Sequence, residues 1–339
     1  MMKFYKILFT TSMIVGTTIT MSSNNWLSMW MGLEINLLSI IPLMSSQKNA
    51  YESEAALKYF ITQALASTIF MFSILMTLSN LNIIQSEVML KINPLILNSA
   101  ILMKMGAAPF HFWLPEVIQG LSWMNSFIML TWQKIAPMTI LMNSIKPMTM
   151  MFMVIIASML VSGFMGINQT SLRKIMAYSS INHIGWMMGS MISNQTIWII
   201  YLIIYTMILL VLVMTFNKLN LYQMSSLINA MSQSKQMKLL FLMNFLSLGG
   251  LPPFIGFLPK WLTINFMMKE MLTMLTLLMI ISTLLTLFFY MRITFSAIIM
   301  TTSEMTTKIV KPKNLYLIIT LNFLTISSLI LSTMILNFI

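Results

Sequence analysis

The stretch KMGAAPFHFWLPEVIQG, residues 104–120, decides how this chain folds. It closes an apolar run that begins near residue 93, and its lysine is followed at once by Gly106, Pro109 and Pro115. Proline lacks a backbone N–H and clashes with the preceding turn, so a helix passing through here breaks and leaves carbonyls free. A second stretch late in the chain, SLGGLPPFIGFLPKW at 247–261, has the same ingredients: Gly249, Gly250, Pro252, Pro253, Gly256 and Pro259, with Lys260 beside them. Broken helices are tolerated at membrane depth only where they are buried in protein or line a cavity. One early and one late, each with an adjacent lysine, they form the pattern of an inverted-repeat membrane fold.

The composition agrees. Of 339 residues, 58% are hydrophobic and 8% charged, where soluble domains carry about 25% charged residues. Mean hydropathy is +0.87. A water-soluble fold of this length would lack the polar side chains to cover its surface, so an all-α polytopic membrane protein is expected. Cys is absent and the seven acidic residues are all Glu, which excludes disulfides, thiolate nucleophiles and Cys-ligated iron–sulfur clusters. Two histidines are too few for a site built from several imidazoles. No glycine-rich fingerprint or P-loop supports nucleotide binding. No metal or cofactor is therefore expected in this chain. The 41 methionines, with abundant Ile and Asn, match the codon usage of an AT-rich organellar genome, and Met side chains fill gaps between helices.

Apolar runs long enough to span occur near 4–22, 24–44, 55–79, 93–119, 122–145, 148–167, 173–192, 195–217, 236–268, 271–300 and 315–337, about eleven helices, two of them broken. Lys3 and Lys6 precede the first run as in a signal peptide, but no small-residue cleavage site follows, so it is read as a first helix. No linker divides the runs, and a single domain, 1–339, is expected. A net charge of +12 would point to nucleic acid in a soluble protein; here the cations sit in short loops, and no nucleic-acid partner is expected. With eleven spans, the N-terminal side holds Lys3, Lys6, Lys48, Lys58, Arg173, Lys174, Lys218, Lys235, Lys238, Lys308, Lys311 and Lys313, and the other side only Lys91, Lys146 and Lys269. That bias puts the N-terminus on the matrix or cytoplasmic face and Ile339 on the opposite one. The segment from Asn217 to Lys238 is expected to lie along the N-terminal-side surface.

Glu34, Lys104, Lys134, Lys260 and Arg292 remain inside spans. An ionised side chain at the bilayer centre costs about 2.5–3.5 kcal/mol on insertion scales, so such groups should face protein or a water-filled cavity and be partnered. Glu34, in the middle of 24–44, either glues helices as a neutral hydrogen-bonded acid or governs the charge of a neighbouring lysine; its being the one acid deep within a span favours the second. Lys104 precedes the first break, Lys134 lies near the centre of 122–145 ahead of Pro137, and Lys260 follows the second break. A lysine taken out of water exchanges protons far more readily near neutrality than an exposed one. Arg292 is nearer the end of its helix and fits snorkelling. His111 and His183 titrate in the right range for a relay or bridge helices as satisfied polar groups. Glu116 is expected near a surface. Trp26, Trp113, Trp123, Trp186 and Trp261 read as packing or interface anchors.

On KMGAAPFHFWLPEVIQG, on SLRKIMAYSSINHIGW from Ser171 to Trp186, and on SLGGLPPFIGFLPKW, the chain resembles the subunit 2 family of mitochondrial NADH:ubiquinone oxidoreductase, respiratory complex I, a branch of the antiporter-like subunits. The likeness extends over essentially the whole chain. It implies an eleven-helix antiporter-like fold without three N-terminal helices of bacterial relatives, in the mitochondrial inner membrane. It also implies a subunit of a proton-translocating NADH:ubiquinone reductase with no redox centre of its own, the NADH, FMN, iron–sulfur and ubiquinone sites lying in other subunits. The family's intramembrane glutamate falls on Glu34, its lysines on Lys104, Lys134 and Lys260, and its histidine on His111. The implied mechanism is a relay from Lys104, governed by Glu34, through water to Lys134 and Lys260. The implied partners are neighbouring antiporter-like and other membrane-arm subunits, and lipids. A cation/proton antiporter subunit and a purely structural membrane subunit are the alternatives.

Overall fold

A computed structural model describes residues 4–46, 49–79, 87–144, 148–232, 235–252 and 254–299. The expected span 315–337, the flanking residues Lys3, Lys48, Lys146, Lys308, Lys311 and Lys313, the C-terminal Ile339, and Pro253 lie outside the described residues. Among those described, helices account for nearly all regular structure, joined by one isolated bridge between Ser171 and Gln223. The chain divides into two compact units, Met1–Ala157 and Ser158–Ile339.

In the first unit, α1 (Phe4–Ser22) packs along α2 (Trp26–Met44), and α3 (Ala50–Ser79) packs against α2, α4 (Glu87–Met105) and α5 (Trp113–Gly120); α6 (Trp123–Leu130) and α7 (Trp132–Asn143) complete it. The α1–α2 crossing is set by two glycines. A Cβ on Gly32 would fall 2.8 Å from the Gly16 carbonyl and 2.5 Å from Thr20, the close approach that small residues give helices in lipid. The many hydroxyls of α1 fold back onto their own helix, as Thr17 does onto Ile14 O at 2.7 Å and Thr20 onto Thr17 O at 2.7 Å. Their hydrogen-bonding needs are thus met without water.

The boundary between the units falls within α8 (Met148–Ile167). The second unit holds α9 (Leu172–Ser193), α10 (Gln195–Leu219), the short α11 (Met224–Ser232), α12 (Lys235–Gly249), α13 (Phe257–Lys269) and α14 (Thr273–Ile299). Gly163 and Gly166 of α8 lie under Leu285 and Phe289 of α14. Three chain ends predicted to share one side meet here. Leu172 N–H donates to Tyr222 O at 3.0 Å, the Arg173 guanidinium sits 4.7 Å from the Tyr222 ring centroid, and Arg292 donates to Gln169 O at 3.3 Å. Asn220, left-handed at φ 50, ends α10 and turns the chain into α11. The expected surface segment 217–238 is therefore largely helical.

Among the described residues, five helices are long and apolar enough to cross a membrane: Trp26–Met44, Ala50–Leu78, Met148–Ile167, Gln195–Leu219 and Thr273–Ser296. Several other expected spans are present as shorter pieces. The runs 93–119 and 236–268 are interrupted where glycine and proline foretold. The run 122–145, expected as one helix, is also split, at Thr131. Two features weaken the helix there. The Thr131 hydroxyl donates back to Phe127 O at 2.7 Å, and Pro137 denies the Gln133 carbonyl its usual i+4 donor.

Candidate functional site

The two broken segments match in register. Both breaks run seven residues, 106–112 and 250–256, and the sequences GAAPFHFWLPE and GLPPFIGFLPK coincide at glycine, proline–phenylalanine and leucine–proline. Gly106 and Gly250 are both left-handed, at φ 73 and 76. Both helix ends close in the same way. Gly106 N–H donates to Met103 O and Ala107 N–H to Leu102 O; Gly250 N–H donates to Ser247 O and Leu251 N–H to Leu246 O. This glycine-ended cap satisfies two carbonyls of the last turn and leaves the final two without a main-chain donor.

In the second unit those final two carbonyls receive Lys260. Its Nζ donates to Gly249 O at 2.9 Å and to Leu248 O at 3.5 Å, lies 5.8 Å from the Trp186 ring centroid, and is buried with the rest of the residue. A cation is favoured at a helix C-terminus, where carbonyl dipoles converge. Trp186, buried as expected of a packing residue, thus also borders the Lys260 amine. One turn before it on the same face of α9, His183 shares a 2.8 Å hydrogen bond between Nδ1 and the Tyr201 hydroxyl, with the Tyr205 ring 4.8 Å away. Asn182 donates to Thr286 on α14 at 3.3 Å.

In the first unit Lys104 occupies the last turn of α4, buried, and its carbonyl accepts from Gln63 Nε2 at 3.4 Å. The Met103 carbonyl accepts from Trp113 Nε1 at 3.0 Å. Glu34 is half-buried in the middle of α2, and among the described residues no ion pair joins it to Lys104. Lys134 is 2% exposed in the first turn of α7. Beside it Gln133 Nε2 donates to Asn36 Oδ1 at 2.9 Å, and the Tyr59 hydroxyl donates to Gln133 Oε1 at 3.3 Å. Glu34, Lys104 and Lys134 belong to the first unit, and Lys260 and His183 to the second.

His111 lies inside the first break, 3% exposed, with Nδ1 donating to Pro109 O at 3.2 Å. That fixes the proton of the neutral ring on Nδ1 and leaves Nε2 as an acceptor with no protein partner. Glu34 Oε1 and the indole nitrogens of Trp30 and Trp132 are likewise buried without one. Glu116 faces outward and pairs with Lys58 at 3.1 Å, which also pairs with Glu54. Arg292 is exposed about two turns before the end of α14. Asn36, Tyr59, Gln63, Gln133 and Tyr201 escaped the reading of charges. Tyr59 and Gln63 lie four apart on one face of an apolar helix, and an uncharged amide in a span carries the same message as a charge, at lower cost.

A long-helix membrane fold with lysines buried at the ends of broken helices defines an antiporter-like membrane subunit. The chain belongs to the NADH:quinone oxidoreductase/Mrp antiporter transmembrane family, whose model matches residues 23–286. It is 45% identical over 304 residues to NADH-ubiquinone oxidoreductase chain 2 of Locusta migratoria, covering 88% of this chain and 87% of that one. It is 47% identical over 296 residues to the protein of the same name from Anopheles gambiae, covering 85% and 84%. Its fold is similar to a chain of respiratory complex I from Thermus thermophilus with bound aureothin, at a TM-score of 0.87 and 22% identity, covering 99% of this chain and 80% of that one. It is also similar to a chain of the Mrp complex from Dietzia sp. DQ12-45-1b, at 0.77 and 14% identity, covering 97% and 75%.

Proposed function

We propose that this chain is the antiporter-like subunit 2 of mitochondrial NADH:ubiquinone oxidoreductase and carries protons through its buried lysines. It crosses the inner membrane eleven times as one domain of inverted repeats, with its N-terminus in the matrix and its C-terminus toward the intermembrane space. The observation that carries the reading is the burial of Lys104, Lys134 and Lys260, 7%, 2% and 6% exposed, in a chain of this family. Matching caps on the two broken segments support the repeat. The contacts of Arg173 with Tyr222 and of Arg292 with Gln169 support the topology.

In this reading a change in the field of Glu34 releases the proton of Lys104, which passes by water to Lys134 and then Lys260. His111 and His183 are further relay groups. His111 presents an unpartnered acceptor, and buried polar atoms without protein partners are where ordered water binds. Moving one charge against 100 mV requires about 2.3 kcal/mol, and one pKa unit is about 1.4 kcal/mol, so shifts of about two units at each carrier suffice. NADH, flavin, iron–sulfur and ubiquinone chemistry takes place in other subunits, and its energy reaches this chain through its membrane-arm neighbours. Lipids fill the remaining apolar surface. Lys134→Ala in the assembled enzyme, reconstituted in vesicles, is expected to cut NADH-driven proton pumping; intact pumping at normal assembly would refute the relay.

The likeness to a chain of the Mrp complex favours one second reading, a cation/proton antiporter subunit driven by an ion gradient. Purification separates the two: a respiratory subunit travels with flavin and iron–sulfur proteins, an Mrp-type subunit without them. A purely structural subunit would pump normally with all four charges neutralised.

A further inference from the structure

We propose that Gln133 is a positioning residue for Lys134, its side-chain amide tying the first turn of α7 to Tyr59 on α3 and to Asn36 on α2, the helix that carries Glu34. This rests on the relay reading and adds a part that the charges alone do not reveal. The turn that holds Lys134 is poorly held by its own helix. Before it, the helix stops at Leu130 and restarts at Trp132, with Thr131 at φ −116, ψ −71. Lys134 N–H reaches back three residues, to Thr131 O at 3.3 Å. After it, Pro137 leaves the Gln133 carbonyl without its i+4 donor. Main-chain support is therefore reduced on both sides of the lysine.

The side chain of Gln133 makes up the deficit. Both ends of its amide are used, Nε2 toward Asn36 at 2.9 Å and Oε1 toward the Tyr59 hydroxyl at 3.3 Å. Rotation of the amide breaks one bond or the other. Its two partners are rigidly placed: Asn36 is 2% and Tyr59 3% exposed, and the Tyr59 ring packs 5.8 Å from that of Trp113. The far end of α7 is pinned by the same chemistry, Ser144 Oγ donating to Asn98 Oδ1 at 2.8 Å and Asn98 Nδ2 to Ser144 O at 2.9 Å. A helix interrupted at one end and carrying an internal proline is thus held by amides at both ends, one of them adjoining the lysine. Proton transfer through water needs hydrogen-bond distances, and a misplacement of about 1 Å can cost on the order of a hundredfold.

The test uses Gln133→Leu, Tyr59→Phe, the double variant and Lys134→Ala in the assembled enzyme, reconstituted in vesicles. It reads proton pumping per NADH oxidised and the pH profile of turnover, each per assembled enzyme. Each single variant is expected to slow pumping between about two- and tenfold and to move the pH profile by about half a unit or more, a displacement that a loss of stability alone does not produce. The double variant should be no worse than Gln133→Leu, because the two changes remove the same bond. Where Gln133→Leu fails to assemble, Tyr59→Phe, which removes one oxygen, carries the test. If Lys134→Ala stops pumping while Gln133→Leu or Tyr59→Phe leaves rate and pH profile unchanged, the positioning role is overturned and the relay stands. If Lys134→Ala itself pumps normally, the relay falls and this inference with it.

Discussion

Gly106→Ala and Gly250→Ala form a matched pair, because the two glycines occupy the same position in the same cap and differ in what lies in front of them. At φ 73 and 76 an alanine at either site pays for a left-handed backbone, about 1–2 kcal/mol. At Gly106 the new methyl would meet Leu114 Cδ1 at 2.9 Å, the end of a flexible side chain. At Gly250 it would fall 2.7 Å from Lys260 Cδ and 3.0 Å from its Nζ, so the lysine must move. The hydrogen bonds displaced are those to Gly249 O at 2.9 Å and Leu248 O at 3.5 Å; the shorter contributes about 1.5–3 kcal/mol while the amine carries charge. Gly250→Ala should therefore destabilise the subunit by about 2.5–5 kcal/mol and Gly106→Ala by about 1–2 kcal/mol. Heat inactivation of the assembled enzyme ranks the two. Dye-quench pumping in vesicles, normalised to assembled enzyme, reads the second effect: Gly106→Ala pumps close to the native rate, and Gly250→Ala falls well below it. Equal pumping by the two variants would show that the position of Lys260 does not matter to proton movement.

Gly32→Leu should prevent α1 from packing on α2, since even a methyl there meets the Gly16 carbonyl at 2.8 Å; overpacking costs about 1–3 kcal/mol or more, and the amount of assembled subunit on a native gel checks it. Lys58→Ala and Glu116→Gln break an ion pair whose side chains are 44% and 58% exposed. Both should leave assembly and pumping unchanged in the same assays, as exposed pairs generally do. A loss of pumping with Glu116→Gln would give this residue a role that its exposure argues against.

What the sequence made legible was what membrane physics makes costly. Buried charge is expensive, so Glu34, Lys104, Lys134 and Lys260 stood out before any fold was known, and the lysines are indeed buried. Proline and glycine announce where a ladder must fail, and both expected breaks are present. The split at Thr131 was harder to see, because its causes are a hydroxyl turned back on its own helix and a proline six residues later, neither a breaker by itself. The amides escaped for a similar reason. Gln63, Gln133 and Asn36 cost less to bury than lysine, and their partners appear only in the fold, where Gln133 meets Asn36 and Tyr59 and Gln63 meets the end of α4. Which carbonyls the Lys260 amine would reach depended on the conformation of Gly250, which composition does not give.

The matched caps carry the comparison one step further. Each leaves its final two carbonyls without a main-chain donor, and a buried carbonyl needs one. In the second unit a single amine serves both, reaching back across the break from Lys260. In the first unit the residue in that register is Glu116, which points outward, and one of the two carbonyls is served from another helix: Gln63 Nε2 donates to the carbonyl of Lys104 itself at 3.4 Å. Gln63 therefore does for one carbonyl of α4 what Lys260 does for two of α12. Gln63→Leu, close to it in volume, should strand that carbonyl at a cost of about 1–3 kcal/mol, seen as faster heat inactivation of the assembled enzyme. Gln63→Lys supplies an amine in place of the amide and should recover much of the loss, as Lys260 does in the other unit. Equal inactivation rates for native enzyme and Gln63→Leu would mean that the carbonyl of Lys104 finds its donor elsewhere, and the parallel between the two helix ends would stop at their backbones.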